Sequence, residues 1–368
     1  IIEPFRDFKI TAEAKRVRTD NYQEIFRFDE LAGNYASLSP YRNGTYQVTT
    51  ISIGTAFNRD NNINSETFNK FINNLDRYQQ EFTLLNPNAI SDTSYRRRSQ
   101  DVLIAAFMDS YIGNGINNGV SAFPKIPLPN WSLDYSGLAK VGIFKEIFQS
   151  INITHRYSSE YRIGNYTSAL EYQNTALLQL SNNFGNYVQP FQINANGELV
   201  PILVLGQIQL SEKFSPLIGI NARTKSSLNI RVDINRSRDV GLNLANAQIT
   251  EVRNNDIVIG LGFAKKNIRL PFRNVDRERI VLKNNTDFRV DFTIRDSKTF
   301  QRSIDDENVV TSGNYNFQLR PNISYKINNS LSFQFYFERT INNPATTLAF
   351  PRRNTNVGFQ LRYNFAGQ

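Results

Sequence analysis

The sequence of 368 residues has no cysteine, one histidine, one methionine and one tryptophan. Without cysteine there is no disulfide framework, no thiol nucleophile and no thiolate metal site. One histidine excludes a His-based metal cluster and leaves a Ser-His pair only His155 as proton relay. His155 lies in INITHRYSS, in phase with Ile151 and Ile153 on an expected strand, where a structural role is the simpler reading. No apolar run approaches the roughly 20 residues of a membrane-spanning helix. That excludes helical spanning and leaves spanning by strands untouched. A signal-peptide pattern is missing too. The opening IIEPFRDFKI reads as the start of a mature product or as a piece of a longer polypeptide.

Motifs for chemistry are equally sparse. GNGINNG (113–119) has the wrong glycine spacing for a dinucleotide loop, and no phosphate-loop signature occurs. Asp305, Asp306 and Glu307 lack the spacing of a calcium loop and read as a solvated tip. These absences lead to an expectation of no catalytic residues, no metal, no cofactor and a non-enzymatic role. The net charge of +9 is read as spread over loops and a wet wall. Arg96-Arg97-Arg98 is too short a run to argue for nucleic acid, and no stacking motif accompanies it.

Aromatic residues and alternation are what the sequence does have, with 27 Phe and 17 Tyr. NVGFQLRYNF (356–365) alternates apolar and polar residues without a fault, LNIRVDIN (228–235) and DFRVDFTIR (287–295) set apolar against polar residues in the same way, and SLSFQFYFE (330–338) lines up Leu331, Phe333, Phe335 and Phe337. Period two over this length marks a strand with one dry and one wet face. Further strands are expected at 5–17, 45–57, 131–140, 150–159, 166–180, 199–211, 214–223, 239–250, 255–264 and 311–326. Several exceed the roughly 5–6 residues usual in globular sheets and approach the roughly 9–11 of membrane barrel strands. A large soluble β-sandwich shows the same alternation and remains the other fold. Tight turns are expected at 235–239 and 326–330, and long connections at 265–283, 297–311 and 341–355.

Arg231, Asp233, Arg289, Asp291, Arg295, Gln360 and Arg362 fall on the polar side of these strands and are candidate lumen-lining residues. Phe288, Phe292, Phe333, Phe335, Phe337, Phe359, Tyr363 and Phe365 fall on the other side and are candidate lipid-facing residues. Near mid-bilayer a lipid-facing Arg costs roughly 2–4 kcal/mol, so a barrel would place the charged row on a hydrated interior. Residues 58–130 break the ladder: Phe68, Phe71, Ile72, Leu75 and Tyr78 recur at helical spacing, and 99–113 reads as a second helix stopped at Gly113. The three prolines of FPKIPLPNW (123–131) disfavour both helix and central strand. The organisation expected is therefore barrel strands at 1–57, a partly helical insertion at 58–130 (cap, gate or plug-like loop), and barrel strands at 131–368 ending in an aromatic strand.

Four stretches carry a resemblance: SQDVLIAAFMDSYIG (99–113), SAFPKIPLPNWSLDYSGL (121–138), the block running from SPLIG to GLGF (215–263) and the closing NVGFQLRYNFAGQ (356–368). Together they resemble the C-terminal region of the SprA/Sov family, the outer-membrane translocons of the type 9 secretion system of Bacteroidota, linked also to gliding motility. The resemblance implies an all-β fold, a segment of a very large antiparallel transmembrane β-barrel with a partly helical insertion. It implies passage of folded cargo through the outer membrane, and no catalytic residues. Its implied partners are the remaining N-terminal part of the same barrel, a PorV-like shuttle protein, a plug protein, secreted cargo with a C-terminal signal, and outer-membrane lipid. A smaller outer-membrane porin or nutrient-transporter barrel, or a soluble surface β-sandwich binding module, are the alternative readings.

Overall fold

The computed structural model describes residues 1–58, 64–113, 121–172, 189–273, 277–346 and 349–365. The expectations at 114–119 and 173–180 lie outside these residues. The first part of the chain holds β1 (Ile2–Phe5), β2 (Phe8–Glu13), β3 (Arg16–Asp29) and β4 (Asn34–Thr49). Next come α1 (Ile53–Ala56), α2 (Glu66–Leu85), α3 (Gln100–Phe107) with a π turn at Met108–Ile112, β5 (Asn130–Tyr135) and α4 (Gly142–Ile147). The sheet resumes with β6 (Phe148–Ser168), β7 (Leu203–Leu205), β8 (Gln207–Thr224), β9 (Leu228–Asn243) and β10 (Gln248–Lys265). It ends with β11 (Ile268–Arg273), β12 (Arg279–Leu282), β13 (Thr286–Ser303), β14 (Val309–Lys326), β15 (Leu331–Pro344) and β16 (Arg352–Tyr363).

Fourteen of these strands form one antiparallel sheet, in the order β1-β2-β5-β6-β8-β9-β10-β13-β14-β15-β16, with β4 and β7 also on β6 and β3 on β4. β11 and β12 make a separate hairpin. The fold is mostly antiparallel β, as expected, but the sheet is open: among the described residues no pairing joins β1 to β16. From β8 onward the strands of the large sheet are long and mostly in unbroken register. β9 pairs with β10 from Leu228↔Phe263 to Asn243↔Gln248 without a slip. Such strands satisfy their backbone groups laterally, so their side chains are free to differ completely between the two faces.

Several expected boundaries are corrected. Residues 235–239 form no turn; Asn235 to Asp239 lie inside β9, because Arg238 is drawn into a buried ion pair with Glu212 on β8. The stretches expected as separate strands at 228–235, 239–250 and 255–264 are therefore the two long strands β9 and β10. The expected strands at 199–211 and 214–223 are likewise short β7 and one long β8, whose pairing shifts between Phe214 and Ile218. The long connections expected at 297–311 and 341–355 shrink to 304–308 and 345–351, since ladder pairing extends β13, β14, β15 and β16 past their alternating cores. The connection at 265–283 is long and carries the β11–β12 hairpin, while 326–330 holds the expected tight turn.

Nearer the N-terminus, the strand expected at 45–57 stops at Thr49, whose carbonyl accepts from the Leu128 amide at 2.9 Å, and α1 follows. The strand expected at 131–140 ends at Tyr135 in a 3-10 turn, Gly137–Lys140. The strand expected from 166 ends at Ser168. The expected strands at 5–17 and 45–57 reach only Arg16 and Val17 of β3 and residues 45–49 of β4, so the rest of the β3–β4 hairpin is new.

The helix-spaced residues fall on α2. Phe68, Phe71, Leu75, Tyr78 and Phe82 make its buried stripe, and the Ser65 hydroxyl caps it by accepting from the Phe68 amide at 3.1 Å. α3 is buried on all sides, and Gly113, at φ 84°, ends the helical run. Asp109 fastens the pair: its carboxylate meets Arg77 at 2.5 Å and Lys70 at 3.3 Å. This helical module packs on Tyr161 and Ile163 of β6, Ile208 and Leu210 of β8, Val240 and Leu242 of β9, and Ile249 of β10. It therefore covers one face near the end of the sheet that carries connections 244–247, 304–308 and 345–351, the capped end. The other, bare end carries 225–227, 266–285 and 327–330.

Truncating Phe71→Ala is expected to loosen the module by about 3–5 kcal/mol. Hydrogen exchange should then rise in α2 and α3 while β13–β16 keep their protection. Burial opposes ionisation of Asp109, but its pairings with Arg77 and Lys70 outweigh that cost and hold the carboxyl below its ordinary value. A depressed carboxylate stabilises above its unfolded value and is lost as pH falls through the folded one. Module protection should therefore decline as pH drops below about 4. Asp109→Asn should be weaker at neutral pH and lose much of that acid sensitivity, as read by tryptic cleavage within α2.

Candidate functional site

Register assigns every strand residue to one of two faces. β9 is regular throughout, so Leu228, Ile230, Val232, Ile234, Arg236, Arg238, Val240 and Leu242 share one face. Its other face carries Asn229, Arg231, Asp233, Asn235, Ser237 and Asp239. Pairing extends both rows across the sheet. Ile234 lies beside Ile257, Ile257 beside Ile294, and Ile294 beside Phe317. On the opposite face Arg231 lies beside Gly260, Gly260 beside Asp291, and Asp291 beside Arg320.

The seven candidate polar residues, Arg231, Asp233, Arg289, Asp291, Arg295, Gln360 and Arg362, all fall on this second face. Three ion pairs knit part of the row: Arg231–Asp233 at 2.5 Å, Arg289–Asp291 at 2.7 Å and Arg295–Asp256 at 2.9 Å. Arg320–Glu338, at 2.9 Å, continues the pattern onto β14 and β15. Such exposed pairs contribute roughly 0–1 kcal/mol each, so they shape a hydrated surface more than they stabilise it. Gly260 and Gly262 leave a trough of about 790 Å³ between Arg231 and Arg289. A Cβ at Gly260 would sit 3.2 Å from the Asp291 carboxylate and begin to fill it.

Of the eight candidate apolar residues, Phe288, Phe292, Phe333, Phe335, Phe337, Phe359 and Tyr363 share the first face. Phe365 lies past the end of β16, with its ring packed edge-on against Tyr363 at 4.8 Å. Phe263 stacks on Phe288 at 4.7 Å, and Phe292 meets Phe317 edge-on at 5.2 Å. On β9, β10, β13, β15 and β16 this face presents four successive apolar rows toward the bare end, then turns polar at Arg236, Asn255, Asp296, Arg339 and Thr355, and on β14 the run extends over six rows, from Tyr325 to Tyr315. At about 3.4 Å per residue, the apolar band is roughly 20–25 Å tall. The helical module packs on this same face beyond the band and leaves the charged face bare.

Between band and module runs a buried charged row absent from the residues singled out by sequence. Glu212 on β8 meets Arg238 on β9 at 3.1 Å and accepts from Ser52 at 2.7 Å and Tyr157 at 2.9 Å. Arg238 donates to the Thr55 carbonyl and hydroxyl at 2.9 and 2.8 Å, tying α1 to the sheet. Glu251 on β10 meets Arg253 at 2.7 Å and Arg302 at 3.6 Å. Arg302 is fully buried against the Phe68 and Phe300 rings. The signal was available as phase: Arg236 and Arg238 continue the apolar row of LNIRVDIN, but their turn-like neighbours mask it.

His155 shares the apolar-row face and donates its Nδ1–H to the Leu217 carbonyl at 2.6 Å, a structural engagement. Among the described residues no group of three or more potential metal ligands comes together, and no helix is long and apolar enough to cross a membrane.

Removing one partner of a buried ion pair leaves the other charge uncompensated, at about 3–5 kcal/mol. Glu251→Gln is expected to destabilise by that amount in denaturant titrations. Combining it with Arg302→Met should recover part of the loss, because the fully buried guanidinium is then gone and only the partly exposed Arg253 has lost that carboxylate.

No protein-family model matches the chain, and no curated protein matches it.

Proposed function

We propose that this chain is the C-terminal part of the wall of an outer-membrane protein-conducting channel, the translocon of the type 9 secretion system. It passes folded cargo to the cell surface and supports gliding motility. One observation carries the reading: an open sheet of long strands has a continuous charged and amide face opposite an apolar band of roughly bilayer height. A bilayer rewards the apolar band, and a wide hydrated lumen accommodates the Arg and Asp row behind it. The resemblance of 99–113, 121–138, 215–263 and 356–368 to the SprA/Sov translocons supports the same assignment.

Hydrocarbon does not tolerate unpaired strand edges, so the edges of β1 and β16 require further strands of the same barrel. A PorV-like shuttle, a plug protein and cargo with a C-terminal signal are the partners of this reading. It requires no catalytic group, because transport needs a shaped, wet wall and a gate.

The absence of native cysteine makes single-thiol mapping clean. Asp291 and Phe292 are sequence neighbours on opposite faces. In intact membranes Asp291→Cys is expected to react with a water-soluble maleimide and to crosslink exported protein. Phe292→Cys should react only with a lipid-soluble reagent. Equal aqueous labelling of both would overturn the membrane wall. Aqueous labelling of Asp291→Cys with capture of small solutes only would replace protein conduction with a porin.

A further inference from the structure

The apolar band ends at a ledge of cations on its own face. Arg236 follows Ile234 on β9, and Arg339 follows Phe337 on β15. Lys298 and Arg353 lie two same-face rows beyond Ile294 and Val357. Each row is about 7 Å along the strand, so Arg236 and Arg339 stand at the depth of the headgroup layer on one side of a bilayer, and Lys298 and Arg353 stand about 14 Å past the last apolar row.

Cations are also packed against one another here. Arg253 on β10 pairs in register with Arg238 on β9 and with Lys298 on β13. Like charges directly opposite on a sheet repel. The nearby carboxylates are engaged within the chain. Glu212 is taken up by Arg238, and Glu251 is shared by Arg253 and Arg302. Asp296 reaches Lys298 only at 3.9 Å. Arg236 lies over the Phe57 ring at 4.7 Å, and among the described residues no carboxylate pairs with it.

Resting on the channel-wall reading, we propose that the ledge binds the phosphate of anionic lipid headgroups at the capped-end surface of the membrane. Guanidinium groups match phosphate oxygens bidentately. The apolar rows directly below accommodate the acyl chains of the same molecule, which favours a lipid over a free anion. On β8 and β9 the helical module stands above the ledge, so a headgroup there lies between helix and bilayer. The module is then a collar on the outer side of the wall, resting on the lipid surface.

The test uses protein extracted from its native envelope and placed in nanodiscs of phosphatidylcholine with or without phosphatidic acid. Native mass spectrometry counts the retained phosphatidic acid. Selective retention is expected, falling about a hundredfold in Arg236→Gln/Lys298→Gln/Arg339→Gln and about thirtyfold in the more exposed pair Lys298→Gln/Arg339→Gln. The double variant keeps the test open should the triple variant misfold. Retention unchanged in a folded variant, or equal for both lipids, overturns the inference while leaving the wall intact. Displacement by inorganic phosphate alone shows a free-anion site and overturns it too. So does capture of polyglutamate with no lipid preference. Failure to enter phosphatidylcholine discs at all overturns the wall reading instead.

Discussion

The structure depends on one constraint: a single row of side chains on one sheet face must satisfy two different environments. On β9 that row runs from Leu228 to Ile234, then Arg236 and Arg238, then Val240 and Leu242. The upper apolar pair is buried by α2 and α3, whereas the lower four residues stay half exposed in the isolated chain. A strand cannot rotate its face midway without a bulge, so both halves must be covered from the same side. The helical module supplies one cover. The proposed lipid supplies the other.

Between the two covers, hydrophobic packing is interrupted where a charged row crosses β8, β9, β10 and β13. Burying Arg302 and Glu251 adds little net stability, since desolvation offsets most of their attraction. What the row contributes is position. Arg238 grips the Thr55 backbone and Glu212 grips Ser52, so the chain leaving β4 is registered at one height on the sheet. An all-apolar face would let the module settle at other heights, because Leu and Ile surfaces are interchangeable in a way that a Glu–Arg pair is not. The same row sets the upper limit of the apolar band. One set of residues thus defines both the module's seat and the membrane boundary of the proposed wall.

Most of the face assignment was legible in sequence. Alternation in 228–235, 287–295, 330–338 and 356–363 put Arg231, Asp291 and Gln360 together and Phe288, Phe333 and Phe359 opposite, as pairing does in the structure. Strand ends were less legible, for a physical reason. Asn235-Arg236-Ser237-Arg238-Asp239 has turn composition, and only a tertiary partner, Glu212, makes it strand. The same holds for 297–303, where Phe300 and Arg302 become buried only because the module reaches β13. The β3–β4 hairpin was hidden by a register slip between Gln23 and Ile25, which breaks the period-two pattern. Composition records local preference, and these segments are decided by distant neighbours.

The helical module's side of the sheet also narrows what the insertion can do. A cap folded onto the sheet is the simpler reading of residues 58–130 and a lumenal plug or gate the sharper one, and sequence says nothing about which face receives them. In the structure α2 and α3 lie against the apolar-row face, and Arg231, Arg289 and Asp291 on the other face remain uncovered by them. Under the proposed wall, described helices on that side do not obstruct the lumen directly. Any influence on passage must travel through the sheet. The shortest route is the buried set in which Ser52, Tyr157 and Arg238 converge on Glu212, one residue from Ser211 and Lys213 on the wet face. Lifting the module would strip Ser52 and Thr55 from that set and leave Glu212 and Arg238 exposed to each other and to water. The ion pair that joins β8 to β9 at mid-height would then be hydrated and weakened, beside the pairing slip at 214–218. Motion of a collar would thus reach the lumen as a local loosening of the wall.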